Sequence, residues 1–188
     1  MSFKVLVIPE DPTNNGYILK PLVQAILDDA GRPQARVDVL SNPRLMGYNH
    51  AVKAIREDLP DRYGFWDLWI FLPDADRASA TAMEQLEAYL HGKGVNLLCC
   101  PARPEVEIYA CAAYRSEIPE GWNSAREDLR MKENVFEPLL KRYGDSRRVG
   151  AGRDLMIESS LRNLPLLLEL CPELRTLRDR IASLLAQR

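Results

Sequence analysis

Histidine is scarce in this chain, because His50 and His91 are its only two. Four cysteines are present, but none forms a CxxC pair. With only two histidines available as further ligands, a zinc site is not expected. We interpret the cysteines as small core residues of a reducing compartment. No apolar run approaches the roughly 18 residues that span a bilayer, and residues 1–4 lead into a strand pattern instead of a signal peptide. These absences predict a cytoplasmic protein without a membrane-bound part.

An excess of either charge is also missing, since 25 lysines and arginines stand against 27 aspartates and glutamates. The net charge of −2 argues against indiscriminate binding to nucleic acid. The charges are nevertheless unevenly spread: residues 126–188 hold 13 basic and 10 acidic residues, whereas residues 1–125 hold 12 and 17. The downstream bases either form ordinary solvated helix faces or meet phosphates, and the charge pattern leaves both interpretations open.

Short apolar runs alternate with segments of helical spacing in the first half of the chain. The run at residues 3–8 predicts a strand that is buried on both faces, whereas residues 35–40 alternate apolar and polar residues as a second strand. The segments between the runs predict helices. The expected strands cover residues 3–8, 35–40, 66–72 and 95–100, and the expected helices cover residues 16–30, 48–59 and 79–90. This alternation is typical of βαβ units. It predicts an α/β fold with a central, mostly parallel sheet and helices on both faces.

The pattern changes beyond Pro101. Residues 104–114 are expected to begin extended and to become helical, since alanine and cysteine dominate their second half. Further helices are predicted over residues 127–143, 154–170 and 172–184. We therefore expect one compact unit, in which a helical extension over residues 116–188 packs on an α/β core over residues 1–115.

Two aspartates, Asp74 and Asp76, stand where the third predicted strand ends. In an extended segment they point to the same side, and Pro73 before them is expected to end the pairing of an inner strand. Carboxylates at this spacing repel one another unless a cation lies between them, and Mg²⁺ or Mn²⁺ is the cation that we expect. An Asx turn followed by a helix cap explains the same residues, and the local sequence leaves both explanations open.

A further acid, Glu10, follows the first predicted strand. The carboxyl ends of parallel strands meet at one rim of a sheet, so Glu10 is expected to lie close to the two aspartates. This convergence favours a metal site in which Glu10, Asp74 and Asp76 are both ligands and catalytic residues, and in which Glu10 also transfers protons. Asp11 is an auxiliary acid beside Glu10, although it points away if the strand persists.

Two glutamates farther along the chain, Glu105 and Glu107, are further candidates for this site. In a strand both share one face, whereas in a helix only one of them can reach the site. Glu105 is expected as an auxiliary acid and Glu107 as a metal ligand. Among the downstream bases, we expect Lys132 and Arg153 to contact phosphate.

The segments Val5–Asp11 and Ile70–Asp76 resemble the topoisomerase–primase (TOPRIM) domain, and the match covers roughly residues 3–100. In that family a glutamate after the first strand and a DxD after the third bind Mg²⁺ for phosphodiester chemistry. Glu10 stands at the glutamate position, with Pro9 and Asp11 beside it where the family commonly has a glycine. The resemblance implies a Mg²⁺-dependent nuclease that hydrolyses the phosphodiester bonds of nucleic acid.

The later segment Pro104–Tyr109 and the carboxyl-terminal helices are similar to stand-alone bacterial TOPRIM-like proteins, and distantly to nucleases of the OLD type. This similarity implies that Glu105 or Glu107 lies near the metal. It also implies work in phage defence or DNA repair, with nucleic acid and a protein of the defence complex as partners.

Two other functions stay open at this point. Gly47–Ile55, followed by the DxD, also resembles a GT-A glycosyltransferase, whose DxD carries a metal bound to a nucleotide sugar. The remaining alternative is a non-catalytic TOPRIM-like module that binds a metal or a partner protein.

Overall fold

A computed structural model describes residues 2–76 and 78–187 of the chain. The strands are β1 (Lys4–Pro9), β2 (Arg36–Val39), β3 (Leu68–Leu72) and β4 (Leu97–Cys99). Over the described residues they form a four-stranded parallel sheet in the order β2-β1-β3-β4. The predicted α/β class and parallel sheet are confirmed.

Helices connect and cover these strands. The α-helices are α1 (Gly16–Asp29), α2 (Tyr48–Glu57), α3 (Leu59–Tyr63), α4 (Ala80–Gly92), α5 (Ile108–Cys111), α6 (Gly121–Ala125), α7 (Glu137–Tyr143), α8 (Arg153–Leu161), α9 (Leu164–Leu170) and α10 (Pro172–Ala186). Short 3₁₀ helices cover Ala112–Glu117 and Val149–Gly152, and a π turn, Lys132–Phe136, leads into α7. In the described part of the chain, no helix combines the length and the apolar character that crossing a bilayer demands.

Alternate residues of β1, β3 and β4 enter two separate cores, one on each face of the sheet. Val5 and Val7 of β1 pack on the face that α1 and the carboxyl-terminal helices cover. Leu6 and Ile8 pack on the opposite face, together with α2, α3 and α4. Burial on both faces explains why the inner strand β3 is apolar throughout, whereas the edge strand β2 alternates, with polar Arg36 and Asp38.

Two helices that the sequence predicts as continuous are divided in the structure. The helix expected over residues 48–59 ends at Glu57, and α3 begins at Leu59 with Pro60 in its first turn. Proline lacks the N–H that a helix interior requires, so it fits the first turn of a new helix and not the continuation of α2. The helix expected over residues 154–170 stops, and α9 begins anew after Asn163, whose side chain accepts a hydrogen bond from a backbone N–H of the first turn.

Two further predictions were wrong at their amino-terminal ends. Residues 104–107 form a turn instead of a strand, and α5 begins at Ile108. The helix expected over residues 127–143 is regular only from the π turn onward. Its predicted start is a tight turn in which the Asp128 carboxylate accepts the backbone N–H of Arg130.

The order of the strands creates a crevice between β1 and β3. The chain leaves β1 through α1 on one face to reach β2, and returns through α2 and α3 on the other face to reach β3. Connections therefore change sides at the β1–β3 boundary, and in open parallel sheets ligands bind outside the carboxyl ends of the strands at such a point. Glu10 directly follows β1, and Asp74 lies just beyond β3.

The outer edge of β4 is closed by a pair of charged side chains. Glu87 of α4 accepts the Cys99 N–H at 2.6 Å, and Arg180 of α10 donates to the Cys99 carbonyl at 3.5 Å. The two side chains also pair with each other, with 2.5 Å between Arg180 Nη2 and Glu87 Oε2. An unpaired strand edge invites other chains to add to it, and here side chains occupy its donor and its acceptor.

Replacing Glu87 by alanine is expected to destabilise the protein and to expose this edge. The Cys99 N–H and the Arg180 guanidinium both lose their acceptor, which costs about 2 kcal/mol of unfolding free energy. Urea unfolding measures this loss, and sedimentation velocity measures any self-association through β4. Glu84→Ala, an exposed change on the same helix, is the matched control and leaves both measurements unchanged.

Candidate functional site

The Glu10 carboxylate connects three segments at the crevice. Its Oε1 accepts the Tyr48 N–H at 3.1 Å, and its Oε2 accepts the Asp74 N–H at 3.2 Å. The first bond caps α2, whose preceding residue, Gly47, supplies no side-chain cap and has a φ of 85°. Glycine adopts this backbone conformation without strain, and it turns the chain so that the first N–H of α2 meets Glu10.

Pairing between β3 and β4 continues beyond Pro73, contrary to the expectation that this proline would end it. The Pro73 carbonyl still accepts the Ala102 N–H at 2.7 Å, and Asp74 forms an isolated parallel bridge with Ala102. Proline lacks a donor but keeps its acceptor, so the ladder survives on that side. The pairing brings the segment after β4 against Asp74, whose Oδ1 accepts the Val106 N–H at 3.1 Å.

Asp74 is a partly buried carboxyl group surrounded by other acids. Burial, together with the nearby negative charge of Glu107, raises the pKa of Asp74 to about 7, although its hydrogen bond from the Val106 N–H favours the ionised form. Glu10 and Glu105 raise it further. An aspartate that holds its proton near neutral pH signals a site where negative charge is insufficiently compensated.

Glu105 and Glu107 both act electrostatically on Asp74. They lie in a turn, residues 104–107, so the geometry of a strand or of a helix does not decide which of them faces the site. Burial and the charge of Glu107 raise the pKa of Glu105 to about 7. Glu107 precedes α5 and is only 2% exposed. The alternative that only one of the two glutamates can reach the site does not apply.

The two predicted bases come to the same rim from the carboxyl-terminal helices. Lys132 opens the π turn, and its Nζ lies 3.0 Å from Glu107 Oε1. Burial alone lowers the pKa of Lys132, but the Glu107 carboxylate outweighs it and raises the pKa overall. Arg153 begins α8, stacks over the Phe136 ring and donates to the Gly150 carbonyl at 3.0 Å. Its positive charge acts on Lys132, so the two bases are neighbours.

Asp76 and Asp11 lie at the margin of this arrangement. Asp76 is exposed, and its charge contributes to the raised pKa of Glu105. Asp11 is also exposed, and its Oδ1 accepts the Thr13 N–H at 2.8 Å, which closes the turn before α1. The structure therefore brings Glu10 into contact with the Asp74 backbone, places Glu105 and Glu107 within electrostatic reach of Asp74 and Asp76 within reach of Glu105, and gives Asp11 a local role in the turn.

Sequence reasoning missed two kinds of group at this site. The backbone N–H groups of Tyr48, Asp74 and Val106 hold the carboxylates in place, and no side-chain motif announces them. Glu133, next to Lys132, also adds negative charge that raises the pKa of Glu105. Its place beside a predicted phosphate-binding base was the available signal.

The carboxylates suit a hard divalent cation in type. Over residues 2–76 and 78–187, no group of three or more acidic, histidine or cysteine side chains is placed so that together they could hold a metal ion. Mg²⁺ does not require such a group, because it keeps several waters and commonly uses one or two carboxylates together with substrate phosphates. Asp74 and Glu10 supply two such carboxylates at the crevice, and the Lys132 ammonium pairs with a further acid, Glu107.

Glu10 is expected to stabilise the fold, in contrast to Asp74. In Glu10→Ala, two backbone N–H groups lose a charged acceptor, which lowers the unfolding free energy by about 3 kcal/mol. Glu10→Gln keeps one acceptor oxygen and loses about half as much. Denaturant unfolding in EDTA measures both variants. Equal stability of Glu10→Ala and the wild type would contradict the capping role.

Comparison of the chain with protein-family models, with curated proteins and with solved structures gave no match.

Proposed function

We propose that the protein is a Mg²⁺- or Mn²⁺-dependent nuclease that hydrolyses phosphodiester bonds of nucleic acid. The observation that carries the proposal is the contact of Glu10 with the Asp74 backbone at the β1–β3 crevice, where burial and the charges of nearby glutamates raise the pKa of the Asp74 carboxyl. Carboxylates that have no positively charged partner, at the ligand-binding edge of a parallel sheet, are suited to a divalent cation. The TOPRIM resemblance of the same residues supports this choice.

The metal is proposed to bind Asp74 and Glu10, with Asp76 as a further ligand at the exposed side. When bound, it would neutralise a phosphate and lower the pKa of an attacking water. Glu107, predicted as a ligand, has the Lys132 ammonium as its partner. Lys132 keeps further N–H donors, so it and Arg153 are the bases proposed to contact the substrate phosphate.

Proton transfer suits Glu105 better than Glu10. Both oxygens of Glu10 already accept backbone N–H groups, which fix its orientation and occupy the positions that a proton carrier would need. Glu105 is only partly buried, and its pKa of about 7 lies near the pH at which a general base works best. We therefore assign orientation and metal binding to Glu10 and proton transfer to Glu105.

The glycosyltransferase alternative has less support at Gly47–Ile55. The positive φ of Gly47 presents the Tyr48 N–H to Glu10, so this glycine has a structural explanation that does not involve a nucleotide. The partner-binding alternative is favoured by one observation, the Lys132–Glu107 ion pair, because a purely structural site would neutralise its acids with its own side chains. Work in phage defence or DNA repair with a protein partner is part of the proposal and rests on the resemblance alone.

The experiment that tests the proposal is cleavage of defined substrates by the purified protein. We expect nicking of supercoiled plasmid, or cleavage of single-stranded DNA or RNA, in Mg²⁺ or Mn²⁺ and none in EDTA. Nucleotide sugars are assayed in parallel. Consumption of a nucleotide sugar without cleavage of any nucleic acid would favour the glycosyltransferase. Inactivity on every substrate, with no metal bound, would favour the partner-binding module.

A further inference from the structure

The Lys132 ammonium occupies the Glu107 side of the acidic site. Its Nζ lies 3.0 Å from Glu107 Oε1, and Glu107 is 2% exposed whereas the lysine side chain is 36% exposed. A buried carboxylate is costly without a positive partner, so this contact is the counter-ion of Glu107 in the folded protein. The lysine enters from solvent and ends on an acid that solvent does not reach.

The backbone that carries Lys132 is held firmly in place. Lys132 opens the π turn that ends at Phe136, and the Phe136 side chain is fully buried in the core on this face of the sheet. The Arg153 guanidinium stacks over the Phe136 ring, 5.4 Å from its centroid. π turns interrupt helices frequently at functional sites. This π turn places the Lys132 ammonium beside the Glu107 carboxylate.

Charge is therefore distributed asymmetrically across the site. On the Glu107 side stand the Lys132 ammonium and the Arg153 guanidinium, which repel a further cation. On the other side, Glu10 and Asp74 are held by neutral backbone N–H groups, which bring no full positive charge. A divalent cation is attracted to the second side and is opposed at the first.

From this asymmetry we infer that the site takes a single divalent cation, on the Glu10–Asp74 side, and that the Lys132 ammonium stands where a second ion would otherwise bind. The inference rests on the proposed function, since it concerns the metal of that same site. Many phosphodiester-cleaving sites hold two ions that share carboxylates. Here a side chain supplies the second positive charge, and Glu107 is reserved for it.

The number of bound ions tests this inference directly. Mn²⁺ binding is counted by electron paramagnetic resonance of the free ion and by titration calorimetry, without substrate. We expect one Mn²⁺ in the wild type and two in Lys132→Met, because removal of the Lys132 ammonium frees Glu107 as a ligand. The double variant Lys132→Met with Glu107→Gln returns to one ion. Lys141→Met, which removes an exposed lysine of α7, is the matched control and keeps one.

Each result decides between the possibilities. Two ions in the wild type, or one in a folded Lys132→Met, would overturn the inference. If Lys132→Met does not fold, Glu107→Gln alone decides: unchanged affinity for one ion supports the inference, and a tenfold or greater loss overturns it, because Glu107 is then a ligand. Two ions together with nuclease activity leave the proposed function standing while the inference fails. No bound ion and no cleavage in the wild type overturn the proposed function itself.

Discussion

Asp74→Ala is expected to abolish metal-dependent cleavage while the protein stays folded. The variant removes the carboxylate at the centre of the acidic cluster, and ligands of a catalytic metal contribute several kcal/mol to stabilising the transition state. We expect a loss of about a thousandfold or more in the rate of plasmid nicking in Mg²⁺. Gel electrophoresis of nicked and linear products at several enzyme concentrations measures it.

The control for this experiment is Asp61→Ala, which removes an exposed aspartate in the first turn of α3, before β3 begins. It should cleave at the wild-type rate. Circular dichroism establishes that both variants are folded. Cleavage by Asp74→Ala at the rate of the control would exclude the site from the reaction.

The second large effect is a loss of stability as the pH of the metal-free protein rises. The pKa of Asp74 is raised to about 7 in the folded state, whereas an unfolded aspartate titrates near 4. The folded chain therefore binds more protons than the unfolded chain between these values, and the unfolding free energy falls as pH rises through that window. Three units correspond to an upper limit of about 4 kcal/mol for Asp74. The more exposed Glu105 adds a smaller loss of the same sign.

Urea unfolding in EDTA at pH 5 and pH 8 measures this dependence. The isosteric Asp74→Asn keeps an oxygen for the Val106 N–H and loses the charge, so its unfolding free energy should exceed that of the wild type at pH 8 and depend less on pH. Mg²⁺ should restore stability to the wild type at pH 8 and do little for the variant. The same pH slope in both proteins would show that the Asp74 proton is not responsible.

Much of the fold and part of the site could be predicted because the relevant signals are local. Short apolar runs alternating with helical spacing predicted a mostly parallel sheet, and the parallel pairing of β1, β2, β3 and β4 confirmed it. Glu10 and Asp74 could be brought together from sequence because each follows a strand directly, and parallel strands end at one rim. The hydrogen bond from the Asp74 N–H to Glu10 shows that the ends of β1 and β3 meet as expected.

The remainder of the site depends on irregular backbone, for which periodicity gives no guide. Glu105 and Glu107 were assigned to a strand or a helix, yet they lie in a turn whose course is set by pairing beyond Pro73. Lys132 was predicted to meet phosphate, and a π turn inside an expected regular helix directs it to Glu107. Neither contact follows from spacing along the sequence. Phosphate binding by Lys132 and Arg153 stays a prediction.

The position of Lys132 has a consequence for synthesis of the protein on the ribosome. When residue 115 has been added, all four strands and Glu107 are complete, but the counter-ion of Glu107 has not been made. The helices that cover the same face of the sheet, including Met156 of α8 and Leu174 of α10, also follow later. The nascent chain thus holds an apolar face that α1 covers only in part, together with an acid that lacks its ion-pair partner. We expect the four strands to become a stable sheet only after the carboxyl-terminal helices have emerged.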